Sequence, residues 1–179
     1  MDRQLPPERR AHLRDGREVR IRPIRPDDAE RLCAFHDRLS TRTARLRFFS
    51  PLKHLSPDFA KRLTSVDFVK RCAFVISPVD SDTIHAVGRY EGETRRSAEV
   101  AFVVEDTLQG QGIGPLLLER LAEHARDQGF TRFSAVTLGE NSQMLAMFRE
   151  SPYDAEIHME RDLAFVRLDI CRLALATAV

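Results

Sequence analysis

Polar and apolar residues alternate along Glu18-Val19-Arg20-Ile21-Arg22-Pro23-Ile24, the period of a strand with one buried face. Asp15-Gly16 separates this run from Ala11-His12-Leu13-Arg14, and such a turn predicts a hairpin. The period then changes. Pro26-Asp27-Asp28 places a proline and two acids where a first helical turn favours them, and Leu32, Phe35 and Leu39 recur at three- and four-residue spacing. Helix is predicted again from Ser40 to Phe49, and from Ser56-Pro57-Asp58, a capping serine ahead of a proline, through Phe59, Leu63 and Val66.

Three runs rich in valine, isoleucine and phenylalanine follow: Arg71 to Pro78, Thr83 to Tyr90 and Ser97 to Glu105. Asp80, Ser81, Asp82 and Gly92 supply turns between them, which predicts an antiparallel meander. Ile113 to Gln128 is the strongest helical pattern, with Ile113, Leu117, Leu121 and Ala125 on one stripe, Leu118 and Ala122 beside it, and Gly129 where a helix end accepts a left-handed residue. Arg132 to Leu138 then predicts a strand, Asn141 to Glu150 a helix, and Ile157 to Ile170 a closing pair of strands.

Composition narrows the function classes. A chain of 179 residues suits one domain, divided here into a tail at 1–10, a folded domain at 11–170 and a tail at 171–179. With 28 basic and 27 acidic residues the formal charge is +1, so no global field points to nucleic acid or a membrane surface. Cys33, Cys72 and Cys171 are too scattered for a disulfide framework, and the six histidines lack metal-ligand spacing, so no metal is expected. The first ten residues have no apolar core of the signal-peptide kind and no eighteen apolar residues run together; a cytoplasmic protein is expected.

One junction carries chemistry. Val103-Val104-Glu105-Asp106-Thr107-Leu108-Gln109-Gly110-Gln111-Gly112-Ile113-Gly114-Pro115 leads from a strand through a glycine-rich turn into the strongest helix. Amides converge at such a helix start, the helix dipole adds about half a positive charge, and glycines let the backbone approach a ligand. A pyrophosphate suits that site, and Pro115 costs nothing there because the first helical turn needs no N–H. The dinucleotide fingerprint fails because its last glycine comes one place early, and the P-loop fails for want of Gly-Lys-Ser/Thr.

The spacing Gln-x-x-Gly-x-Gly, at Gln109, Gly112 and Gly114, does resemble the acetyl-CoA pyrophosphate loop of the GNAT acetyltransferases. Leu13-Arg14-Asp15-Gly16, Arg45-Leu46-Arg47-Phe48-Phe49-Ser50-Pro51 and Ala98-Glu99-Val100-Ala101-Phe102 narrow the likeness to bacterial protein-lysine acetyltransferases that modify acyl-CoA synthetases. It runs from about Leu13 to Asp169. The resemblance implies an α/β (α+β) fold of the GNAT type: a mixed, mostly antiparallel sheet of six to seven strands with helices on both faces. It implies acetyl-CoA as cosubstrate, held by Val104, Gln109, Gly110, Gln111, Gly112, Ile113, Gly114, Pro115 and Asn141, with a protein lysine as acceptor. Asn141 serves equally well as a plain helix cap. Some relatives carry a fused cyclic-nucleotide-binding or synthetase-like domain, for which this length leaves no room.

A lysine ammonium has a pKa near 10.4, so deprotonation at pH 7 costs about 4.6 kcal/mol and a positioned base is valuable. The resemblance implies Glu99, whose pKa burial in its apolar strand would raise; the alternative is a strand carboxylate that simply faces solvent. It also implies direct attack on the thioester, with the oxyanion met by a strand N–H. Where many GNAT enzymes place a tyrosine to protonate the leaving thiolate, this chain has Phe148; Tyr153 is out of register, and Ser151-Pro152-Tyr153 replaces the usual glycine and aromatic. Arg42, Arg45, Arg47, Arg95 and Arg96 suit a solvated surface, the CoA 3′-phosphate or an acidic substrate protein. Competing readings are a small-amine acetyltransferase and a noncatalytic acetyl-CoA sensor.

Overall fold

Strand β3 (Arg71–Pro78) organises the molecule, because six of its side chains are fully buried and both of its faces need cover. Cys72, Phe74 and Ile76 point into one core; Ala73 and Val75 point into another. The computed structural model describes residues 5–50 and 52–173. Within the tails expected at 1–10 and 171–179, residues 1–4 and 174–179 lie outside the described residues, as does Pro51 of the motif above.

In chain order the elements are β1 (Arg9–His12), β2 (Glu18–Pro23), α1 (Ala29–Asp37), α2 (Thr41–Phe48), α3 (Pro57–Thr64), β3, β4 (Ala86–Gly92), β5 (Ser97–Val104), α4 (Ile113–Asp127), β6 (Arg132–Leu138), α5 (Ser142–Arg149), β7 (Tyr153–Glu160) and β8 (Leu163–Leu173). They form one sheet in the order β1-β2-β3-β4-β5-β6-β8-β7, antiparallel except where β5 meets β6. Eight strands replace the six to seven expected, since even the four-residue β1 pairs fully with β2 from Arg9↔Ile21 to His12↔Glu18.

Two other expectations shift. Strand β4 begins at Ala86 rather than Thr83, because side chains capture the preceding backbone: Arg20 binds the Ser81 carbonyl at 2.7 Å and Arg38 the Ile84 carbonyl at 2.6 Å. The closing pair starts at Tyr153 rather than Ile157 and runs to Leu173, with a register shift at Tyr153/Asp154. By contrast β3 and β6 span the residues their patterns predict.

Helix α4 lies on the Phe74 face with α5, while α1 and α3 pack on the Val75 face. Leu117, Leu118 and Leu121 of α4 are at most 1% exposed, and each such burial stabilises the fold by about 1.5–3 kcal/mol. Gly88 permits the close approach, for a Cβ there would sit 3.0 Å from Leu117 Cβ. On the other face one ion pair is fully buried. Arg22 donates to both Asp28 oxygens at 2.7 and 2.9 Å, and the Arg25 amide donates to Asp28 at 2.9 Å.

Burial alone would raise the Asp28 carboxyl, but the Arg22 and Arg25 bonds and the Arg31 charge outweigh it and hold the pKa below the usual aspartate range. A depressed carboxyl contributes stability above its unfolded pKa and loses it as pH falls. Asp28→Asn is therefore expected to lower urea-unfolding stability by about 3–5 kcal/mol at neutral pH. The loss should shrink as pH falls below about 4.

Candidate active site

Strands β5 and β6 are bonded at only three positions, Ser97↔Arg132, Ala98↔Phe133 and Glu99↔Ser134. Beyond Glu99 they part, while β5 stays paired with β4 through Val104 and β6 stays paired with β8 through Leu138. The parting leaves one edge of β5 facing a cleft of about 280 Å³, bounded by Phe102, Val103 and Val104, the turn before α4, and Met144 and Met147 of α5. Arg45 and Glu140 form an ion pair that joins α2 to the β6–α5 turn across the gap.

The glycine-rich turn is positioned from three sides. Asp106 accepts from the Ser40 amide at 2.9 Å, the Ser40 hydroxyl at 2.5 Å and the Thr43 hydroxyl at 2.8 Å, tying the turn to the start of α2. Gln109 Nε2 donates to Thr43 Oγ1 at 3.1 Å and to the Val104 carbonyl at 3.2 Å, so its side chain braces the turn from within. From the β1–β2 hairpin, the Arg14 amide donates to the Gln111 carbonyl and the Asp15 amide to Gln111 Oε1. Gly110 and Gly112 have φ of +77° and +86°, left-handed values that a side chain would strain.

Helix α4 starts at Ile113 with Gly112 as its cap residue, so no side chain accepts from its first amides. Those amides and the helix dipole face the cleft. Gly114 lies close to α5: a Cβ there would sit 2.6 Å from Met147 Sδ, so that flexible side chain would have to move. All the residues expected to hold the cosubstrate line this cleft except Gln111, which turns to the hairpin. Asn141 caps α5 by accepting from the Met144 amide at 3.3 Å, and it also lines the cleft.

Glu99 lies beside the cleft in a groove shared with Leu46, Arg47, Phe49 and Val136. Its side chain is exposed, contrary to the burial its apolar neighbours suggested, because Ala98, Val100 and Phe102 point into the α4 core and strand alternation turns Glu99 the other way. Arg47 borders both cleft and groove; burial pushes its pKa down and the Glu99 charge opposes that. Phe49, at the end of α2, holds a left-handed φ of 58° and is 49% exposed on the groove.

This geometry has close counterparts. The model of the Acetyltransferase (GNAT) family matches residues 56–151. Acetyltransferase PA5475 of Pseudomonas aeruginosa is 34% identical over 139 residues, 74% of this chain and 73% of that protein. The chain belongs to the GNAT acetyltransferase family. Acetyltransferase Pat of Mycolicibacterium smegmatis is 33% identical over 134 residues, which cover 74% of this chain but only 40% of Pat. The crystal structure of the GNAT domain of S. lividans PAT superposes with a TM-score of 0.84 at 34% identity, covering 93% of this chain and 99% of that one.

Within this GNAT domain neither tyrosine of the chain lines the cleft. Tyr153 accepts from Arg126 at 3.3 Å, and Tyr90 shares a buried 2.9 Å hydrogen bond with His124. Phe148 fills its place as core, 1% exposed and edge-on to Phe102. Sequence reasoning missed Arg14, whose Nη1 donates to the Gly110 carbonyl at 3.2 Å at the mouth of the cleft. A turn arginine has no local signal; the pairing spans 96 positions.

Burial would raise the Asp106 carboxyl, but the bonds from Ser40 and Thr43 hold it below its usual range, so the brace is present at neutral pH and weakens in acid. Asp106→Ala is expected to cost about 1–3 kcal/mol in stability and to speed amide hydrogen exchange across residues 107–111. Unchanged exchange in that turn would refute the bracing role.

Proposed function

We propose that this GNAT domain transfers acetyl from acetyl-CoA to the side-chain amine of a protein lysine, with an acyl-CoA synthetase as the substrate class first in line. In this reading the α4 amides receive the diphosphate, Arg14 adds a cation at the same mouth, and the free edge of β5 around Val104 pairs with the pantetheine arm. The thioester then lies where β5 leaves β6, close to Glu99. Glu99 takes the proton from the ammonium, and the amine attacks the thioester carbonyl directly. The C–S bond breaks and the thiolate departs without a tyrosine, which a thiol of pKa about 8.5 tolerates.

One observation carries the choice of acceptor: Glu99 is exposed, in a groove beside the cleft rather than sealed under α2. A small amine needs enclosure to be recognised, whereas a protein lysine brings its own surface. The exposed ring of Phe49 on the groove rim is suited to the methylene stem and charge of such a lysine. Kinship with Pat supports the same reading.

Incubation with acetyl-CoA and a panel of acyl-CoA synthetases, followed by mass spectrometry of their lysines, is expected to show specific acetylation. Glu99→Gln should lower its rate by about 10²-fold or more and change its pH profile. Transfer to polyamines and to none of the synthetases would replace this reading with the small-amine one. Arg14→Gln is expected to weaken acetyl-CoA binding by about tenfold while leaving S-acetylpantetheine, which lacks the diphosphate, unaffected.

A further inference from the structure

Acyl transfer from a thioester ends with a negative charge on sulfur, and no phenol of this chain stands ready to meet it. Phe148 is core, while Tyr90 and Tyr153 are bonded to His124 and Arg126 of α4 and line no part of the cleft. A group that receives the departing sulfur has to be sought elsewhere on the wall.

The cleft and the Glu99 groove adjoin, for they share Leu46, Arg47, Phe102, Asn141 and Met144 as wall residues. A thioester held in the cleft and attacked by an amine that Glu99 deprotonates must lie along that shared wall. Only two of the five side chains are polar. Asn141 is committed, since its Oδ1 accepts from the Met144 amide at 3.3 Å and its Nδ2 donates to Thr137 Oγ1 at 3.1 Å. Arg47 is not. Among the described residues its side chain makes no hydrogen bond and has no carboxylate within the 4.0 Å of an ion pair. Its guanidinium lies over the Phe48 ring, 5.0 Å from the centroid, a contact that leaves its N–H donors open.

The charges that act on Arg47 or share its cleft are Glu99 of β5, Arg89 of β4, Arg14 of the hairpin and Glu150 at the end of α5. Burial lowers the Arg47 pKa and the Glu99 charge opposes that, so cation and base stand within electrostatic reach of each other without pairing. An arginine so placed is still charged at neutral pH.

We propose that Arg47 is a catalytic residue of this domain, its guanidinium receiving the coenzyme A sulfur as the thiolate departs. The inference rests on the reading that the cleft holds acetyl-CoA with its thioester near Glu99. The amine nitrogen bonds the acetyl carbon, the C–S electron pair goes to sulfur, and Glu99 takes the ammonium proton. Arg47 keeps all of its protons, and the thiolate leaves paired with the cation, to be protonated by water after release. A thiol that ionises more readily is a better leaving group, and an adjacent cation makes it so.

The thiol of bound coenzyme A reports that cation directly. Its thiolate absorbance, taken as the ultraviolet difference between the full chain's complexes with CoA and with desulfo-CoA across pH, is expected to titrate about one unit or more below free CoA, a tenfold or greater change in ionisation. Arg47→Met is expected to return the bound thiol to its free value and to lower kcat about tenfold or more. Should that variant not fold, Arg47→Gln, which removes the charge and keeps a polar end, makes the same comparison. A bound thiol that titrates like the free one, or that keeps its shift without Arg47, overturns the assignment and leaves the transfer reading standing. A chain that binds neither CoA nor desulfo-CoA overturns both.

Discussion

The bond ladder between β5 and β6 stops after three residues, and the rest of the site follows from that interruption. A strand interior with one unpaired edge is costly when buried, because every backbone N–H and C=O must find a partner. Here β6 keeps seven positions paired with β8 on its far side while it diverges from β5 after Ser134. Phe102 and Phe148 meet edge-on below the gap, while Leu46 and Arg47 border it from α2. The gap therefore persists as a built feature, and a ligand with amide groups spaced like a peptide is the natural occupant of a bare strand edge.

A formal charge of +1 conceals how the charges are arranged. Arg14 reaches the Gly110 carbonyl in the turn ahead of α4, and Arg47 of α2 also lines the cleft. Of the acids near the cleft, Glu105 binds His85 and Arg38, Asp106 binds Ser40 and Thr43, and Glu140 pairs with Arg45, while Glu150 is part of the cleft wall itself. The cleft wall thus carries two cations, Arg14 and Arg47, against one acid, Glu150, a balance that suits an anionic ligand.

What sequence revealed divides along the range of the interaction concerned. Helix α4 and its entry turn were legible because a 3.6-residue stripe, a first-turn proline and glycines at fixed offsets are local signals. β3 and β6 were legible to the residue for the same reason. The start of β4 was not, because Arg20 of β2 and Arg38 just past α1 decide it, more than forty positions away. The exposure of Glu99 was hidden by a run of apolar neighbours that belong to the opposite face. In the tail of the domain, Tyr153-Asp154-Ala155-Glu156 does alternate, but the small Ala155 and the adjoining Pro152 weakened the signal for the first half of β7.

The two tyrosines show how the chain allots its few polar aromatics. Tyr90 is bonded to His124 and Tyr153 to Arg126, and both partners stand in the C-terminal half of α4. Arg126 also reaches the Ile170 carbonyl at 3.0 Å, and Arg120, nearly two turns earlier, reaches the Pro7 carbonyl at 2.9 Å while lying over the Phe74 ring. The rear of α4 is thereby fastened to β4, β7, β8 and the segment ahead of β1. A dipole aimed at a ligand is effective only when its helix does not shift as charge arrives. Phenols that could have served at the cleft instead hold in place the helix whose first amides face it.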